Sequence, residues 1–170
     1  MKPVFSVIII VSFFIFMTGC QISEEDAIEA AKNVFFESFS TSEVVEANFA
    51  GEQVDLYLPR GMEVTEEIDF NVQLERNEQI FLLFFIPFEP WDSEVHLVRD
   101  QEFESNATVL EVVEEGDKRG YLVITPAEDG QYKVIVGIGG AKITTISTVA
   151  NLAESTEMMA GILHTVQYKE

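Results

Sequence analysis

Residues 68–86 read Ile68-Asp69-Phe70-Asn71-Val72-Gln73-Leu74-Glu75-Arg76-Asn77-Glu78-Gln79-Ile80-Phe81-Leu82-Leu83-Phe84-Phe85-Ile86. In the first half Ile68, Phe70, Val72 and Leu74 alternate with Asp69, Asn71, Gln73 and Glu75, the period of a half-buried β-strand. Arg76-Asn77-Glu78 is its natural turn. From Ile80 onward the run is apolar without alternation, which predicts that the strand Gln79 to Phe85 is central and covered on both faces. Two strands joined by a tight turn, one of them doubly covered, predict an antiparallel sheet with helices packed against it.

Before this stretch, Val44 to Phe49 and Gln53 to Leu58 read as strands separated by Ala50-Gly51, and Leu58-Pro59-Arg60-Gly61 stops the second. After it, strands are predicted at Glu94 to Arg99, Val109 to Val113, Gly120 to Thr125 and Gln131 to Val136. The last two are joined through Pro126-Ala127-Glu128-Asp129-Gly130, where Asp-Gly is a hairpin signal. Gly137-Ile138-Gly139-Gly140 reads as a bulge or sharp bend leading into the β-branched stretch Lys142 to Ser147.

Helices are predicted at both ends of this meander. Ser23-Glu24-Glu25-Asp26 is a capping box. It opens a helix over 24–39 whose Ile28, Ala31, Phe35 and Phe39 share one face. Val149, Leu152, Thr156, Met159 and Leu163 repeat at three and four, which predicts a second helix over 149–164. The fold class is therefore α+β, an antiparallel sheet of about six to seven strands with an N-terminal and a C-terminal helix, arranged as a candidate α/β/α sandwich. The strand into Leu58-Pro59-Arg60-Gly61-Met62, the alternating strand, the aromatic strand and the C-terminal helix resemble the Mog1/PsbP-like fold. That resemblance spans residues 52–168. It implies an α/β/α sandwich and a binding or assembly role, and it carries over no catalytic residue.

The start of the chain points to an address. Met1-Lys2 gives a positive start, Val4 to Met17 is an unbroken run of 14 apolar or small residues, and Met17-Thr18-Gly19-Cys20 closes it. These are the three zones of an export signal, and the run is short of the roughly 20 residues a membrane span needs. Small residues directly before a cysteine resemble the lipobox of bacterial lipoproteins, with Met17 where that family usually has leucine. The resemblance implies removal of residues 1–19 by cleavage after Gly19, lipid attachment at Cys20, and a single mature domain over 20–170 held at the extracytoplasmic face of a cell membrane. An uncleaved anchor with an incidental thiol is the competing reading. Two acyl chains hold a protein where one would exchange. The mature domain would carry strong negative charge and stand off anionic headgroups.

Composition narrows the function classes. The 170 residues are 47% hydrophobic and 24% charged, with 10 Lys+Arg against 30 Asp+Glu and a net charge of −20. No segment gathers cations enough to neutralise a run of phosphates, which excludes nucleic acid as a partner. A single cysteine excludes an internal disulfide, a zinc ribbon and a CxxC redox centre.

Candidate chemistry is sparse. His96 alternates with Val95 and Leu97 and is expected to face outward on a strand, while His164 is expected in the last turn of the second helix, where an imidazole meets the helix dipole favourably. Neither has a nucleophile in a recognisable setting. The acidic groups Glu24-Glu25-Asp26, Glu102 with Glu104, and Glu111-Glu114-Glu115-Asp117 match no calcium loop and read as solvated faces, with weak calcium binding as the alternative. The glycines at 137, 139 and 140 do not have the spacing or the following helix of a phosphate loop. Asn106-Ala107-Thr108 matches a glycosylation sequon that carries no weight in a bacterial lipoprotein.

Phe84 to Trp91 is the segment that points to recognition. Pro87, Phe88, Pro90 and Trp91 follow the central strand in a loop, and large aromatics on a rigid loop suit a binding surface. The other reading folds Phe88 and Trp91 over the sheet edge as core. The chain thus reads as a membrane-anchored, non-enzymatic binding or accessory factor for an envelope protein or ligand, without cofactor or metal. The alternative is a small envelope enzyme of the glycan hydrolase type using two placed carboxylates.

Overall fold

The structure is a computed structural model that describes residues 22–40 and 45–169. The expectations for residues 1–19 and Cys20, and the start of the strand placed at Val44, lie outside the described residues.

Helix α1 spans Glu24–Ser40. Ser23 caps the helix as expected, because the Asp26 backbone N–H donates to Ser23 Oγ at 3.1 Å, and the Asp26 side chain reaches back to accept from the Ser23 hydroxyl at 2.6 Å. The buried face is Ala27, Ala31, Phe35 and Phe39, with Ile28 half-buried beside it. Strands β1 (Phe49–Ala50), β2 (Val54–Leu56) and, at the end of the chain, β10 (Gln167–Tyr168) form a small antiparallel sheet in the order β1-β2-β10. Both early strands are shorter than their sequence patterns suggest. The Asn48 side chain bonds the Leu58 backbone with both its amide groups, at 2.7 and 3.0 Å, taking the place of ladder bonds there.

The main sheet holds seven antiparallel strands: β3 (Glu63–Ile68), β4 (Asn71–Arg76), β5 (Gln79–Phe85), β6 (Val109–Glu115), β7 (Lys118–Pro126), β8 (Gln131–Ile138) and β9 (Ala141–Thr148), in the order β3-β4-β5-β9-β8-β7-β6. Most of the turns fall where the sequence places them. Asn77 and Glu78 turn β4 into β5 with φ of 51° and 66°. Asp129 and Gly130, at 55° and 69°, turn β7 into β8. Gly139 and Gly140 close β8 on β9, with Ile138 opposite Ala141.

Two sequence readings fail within this sheet. The alternating run from Ile68 to Leu74 is not one strand, because Asp69 adopts φ 51° and reverses the chain between Ile68 and Asn71. Asp tolerates the left-handed region better than most residues, and a two-residue turn preserves the period-two count across the break. Ile68 and Phe70 are exposed as a result. Strand β5 is central, but it is not covered on both faces: Phe81, Leu83 and Phe85 are buried, whereas Ile80 and Leu82 are 47% and 52% exposed.

The reason lies in how the helices are distributed. Helix α1 and helix α3 (Leu152–Leu163) both pack on the face that carries Val72, Leu74, Phe81, Leu83, Val136 and Ile143. Each large aliphatic or aromatic side chain fully buried there contributes about 1.5–3 kcal/mol. Among the described residues the helix that covers the opposite face is a short one, α2 (Val95–Phe103), about 13 Å long at 1.5 Å per residue. It packs Leu97 over Tyr121, Val123 and Ile135. The remainder of that face is a shallow groove of about 610 Å³ floored by Ile80, Leu82 and Ile146.

Helix α2 also corrects the strand predicted at Glu94 to Arg99. Its inward positions are His96, Leu97 and Asp100, with Glu104 just past its end. Three of those four are polar, so the helical period is present but not in hydrophobic residues. His96 is consequently buried, not outward-facing.

Candidate functional site

Four aromatic rings meet at the end of the sheet where β5 finishes and β8 turns into β9. Phe85 is buried, and its ring contacts Phe70 at 5.9 Å and stacks on Tyr168 at 5.6 Å. Phe88 meets Tyr168 edge-on at 6.4 Å. Phe70 and Phe88 face solvent, Phe88 at 70% exposure. The cluster joins residues distant in sequence. Phe70 comes from the β3–β4 turn, whose carbonyl accepts from the Phe85 amide at 3.1 Å. Tyr168 comes from β10, held beside β2 by the pairing of Tyr168 with Val54 and by Lys169, which bonds Gly51 O at 2.6 Å and Asp55 at 2.8 Å. Burial and the nearby Glu89 carboxylate push the Tyr168 hydroxyl up to about 12, so it stays neutral.

The two aromatics singled out from sequence separate. Phe88 is on the surface and has φ 65°, a left-handed conformation that is strained for a bulky residue and is held only by its surroundings. Trp91 is half-buried, packs against the main core, and has the Lys118 ammonium 5.3 Å above its ring. Phe70 and Tyr168 do not stand out in the sequence. The Ile68-Asp69-Phe70 turn is disguised by alternation, and Tyr168 reaches the site only through pairing with β2.

The loop carrying Phe88 is tied down along its length. Ile86 N–H donates to Gly140 O at 2.8 Å, Arg119 N–H to Trp91 O at 2.9 Å, and Ser93 Oγ to the Glu89 carboxylate at 2.7 Å. Gly139 and Gly140 allow the close approach: a Cβ on Gly140 would lie inside contact distance of Glu89 Cβ, one on Gly139 would lie 2.7 Å from both Pro90 O and Trp91 Cα, and Gly139 has φ 53°. Gly140 O also accepts from His96 Nε2 at 2.9 Å, so the same carbonyl fastens both the loop and α2. A carbonyl only accepts, which places the proton of this imidazole on Nε2.

Beneath α2 lies a buried polar cluster. Asp100 accepts from Lys142 Nζ at 2.6 and 2.9 Å and from the Tyr121 hydroxyl at 2.6 Å. Tyr121 sits opposite Gly137 and its ring lies flat across that glycine, which brings the hydroxyl to the Lys142 side of β8. Burial raises the Tyr121 pKa far beyond any working pH, with the Asp100 charge adding to it. At the other end of α2, Glu104 pairs with Lys133 at 2.6 Å and accepts from Thr125 Oγ1 at 3.0 Å. Every group in the cluster is matched, which marks a fastening for α2 and the loop beside it.

The histidines do not form a reactive pair. His96 packs its ring against Phe84 at 5.3 Å, and burial lowers its pKa. His164 caps α3 and packs edge-on against Phe39 at 4.7 Å. Its buried Nε2 has no hydrogen-bond partner among the described residues. Burial, helped by Lys118, pushes it down to about 4, so the helix dipole expected to favour its charge does not prevail. The unfolded chain therefore binds more protons than the folded one between about pH 4 and 6.5, and stability falls as pH drops through that window. Wild type should lose about 1–2 kcal/mol relative to His164→Leu between pH 7.5 and 5, allowing for partial solvent access. Parallel urea denaturation of the two proteins measures this, and identical pH slopes would refute the assignment.

Among the described residues there is no cluster of three or more His, Asp or Glu placed to hold a metal ion. No helix among them is long and apolar enough to cross a membrane. Neither a protein-family model nor a curated protein sequence matches the chain.

Proposed function

We propose that this protein is a lipid-anchored, extracytoplasmic binding or accessory factor that presents its aromatic end to an envelope partner. The observation that carries this reading is the position of that end relative to the start of α1. The Glu24 carboxylate lies near enough to the Tyr132 hydroxyl, close to the beginning of β8, to hold its pKa above the usual value, whereas Phe39, at the far end of α1, lies over Gly120 opposite Ile138. The loop that carries Phe88 packs on the turn that follows Ile138, and Phe85 pairs with Ala141 just beyond that turn. Six residues of strand, on the order of 20 Å, thus separate the helix start from Phe88's end of the sheet. Only Gln21 and Ile22 lie between Cys20 and Ser23. A lipid on Cys20 would be held within about 10 Å of the helix start, and the aromatic end would face away from the membrane. The Mog1/PsbP-like resemblance, with its binding and assembly roles, supports the same reading.

Crosslinking of affinity-tagged protein in living cells tests it. A specific protein should be captured by wild type, and its yield should fall at least about fivefold with Phe70→Ser plus Phe88→Ala, which alter exposed rings and should cost less than about 1 kcal/mol of stability. Cys20→Ser should release the protein from the membrane and lower capture without changing the fold. Failure of wild type to capture any specific protein would remove the partner from this reading.

A further inference from the structure

The two outer strands of the main sheet are finished differently. Strand β3 breaks register with β4 between Val64 and Glu66, and its Glu67 carboxylate bonds the backbone amides of Glu52 and Gln53 at 2.9–3.0 Å, so that edge is bent and tied to the smaller sheet. Strand β6 keeps unbroken register with β7 from Val109 to Glu115 and has no strand on its other side among the described residues. An edge of seven residues without a bulge or proline is a template for another strand.

The space beside that edge is shaped. Between α1 and β6 runs a groove of about 640 Å³, lined by Glu25, Ile28, Glu29, Thr108, Val109 and Glu111. Its only cation among the described residues, Lys32, is already paired with Glu111 at 2.9 Å and Glu29 at 3.6 Å. On the other face of the sheet Leu110 and Val112 are each 39% exposed. A strand added to β6 would therefore meet carboxylates and Ile28 with one set of side chains and the two aliphatics with the alternate set. A second copy of the chain does not suit this edge, since another β6 would bring three further carboxylates, Glu111, Glu114 and Glu115, and no cation to pair with those already there. A cationic strand does.

We propose that the β6 edge binds an extended polypeptide in which lysine or arginine alternates with aliphatic residues, by addition of a strand to the sheet. The groove lies at the Glu24 end of α1, away from the aromatic cluster, so this inference stands independently of the role given to Phe70 and Phe88.

The test uses full-length protein in detergent micelles and a fluorescent heptapeptide of alternating lysine and valine, with the same peptide N-methylated along its backbone as the control of equal charge. Anisotropy should report binding that weakens at least about tenfold on N-methylation, and to a similar degree with Glu29→Gln plus Glu111→Gln. Amide exchange should slow at residues 109–115 in the complex. Equal binding of the two peptides would reduce the effect to general attraction by an acidic protein and overturn the proposal. So would an absence of binding, protection elsewhere, or self-association through the same strand without peptide.

Discussion

Gly137→Ala should destabilise the protein by about 3–5 kcal/mol, although its effect on strand propensity alone has the opposite sign. Alanine in a strand interior is favoured over glycine by roughly 0.5–1 kcal/mol, because it has less backbone freedom to lose. At this position, however, a Cβ would lie inside the contact distance of the Tyr121 ring and 2.8 Å from its hydroxyl oxygen. The ring cannot move aside cheaply. It is buried beneath Leu97 with Val123 and Ile135, and its hydroxyl is held by Asp100. Overpacking costs about 1–3 kcal/mol, and losing a buried hydrogen bond to a charged group adds about 1.5–3 kcal/mol. Urea denaturation measures the sum. The same alanine introduced into Tyr121→Leu should cost at least about 2 kcal/mol less, because the ring that obstructs it is gone. If Gly137→Ala were neutral in the wild-type background, the ring would not lie across the glycine, and the placement of the hydroxyl would need another cause.

That glycine shows how far the sequence could be read. Features set by neighbours in the chain were legible: the Ser23 cap, the apolar faces of α1 and α3, and the turns at Asn77-Glu78, Asp129-Gly130 and Gly139-Gly140, all of which depend on residues within a few positions of one another. The bend at Gly139-Gly140 was likewise visible, but the flat tyrosine over Gly137 was not, because it requires knowing that β7 and β8 place positions 121 and 137 opposite each other. Helix α2 escaped for a different reason. Its inward residues His96 and Asp100 are polar, and their partners Gly140, Lys142 and Tyr121 come from the β8–β9 turn and from strands β9 and β7, all later in the chain, so its helical period carries no hydrophobic signal. The strand pattern at Ile80 to Ile86 misled about burial, since Ile80 and Leu82 are apolar without being covered. Of the site, Phe88 was legible because prolines flank it. Phe70 was concealed by alternation that continues through a two-residue turn, and Tyr168 by a pairing with β2 across more than a hundred residues.

Asp100→Ala should be at least as damaging as Gly137→Ala, at about 3–5 kcal/mol, and it should also loosen the loop that carries Phe88. Asp100 is the one buried carboxylate among the described residues, and it takes both the Lys142 ammonium and the Tyr121 hydroxyl. Its removal leaves a nearly buried cation unpaired, which is the costly way to break such a pair. A helix of nine residues does not hold itself together in water, so with its central fastening gone α2 depends on Leu97 and on its two ends. One of those ends is His96 on Gly140 O, the carbonyl that also holds Ile86. Detachment of α2 is thus expected to reach the aromatic end, and amide exchange should accelerate over 95–103 and over 86–91 together. Replacing the whole set, Asp100→Leu with Lys142→Met and Tyr121→Phe, should recover most of the stability, because it removes the buried charges along with their partner. Recovery of stability together with slow exchange at 86–91 would assign the cluster to holding α2 in place. Stability recovered without slow exchange there would mean that the loop takes its rigidity from Gly139 and the Arg119 contacts alone.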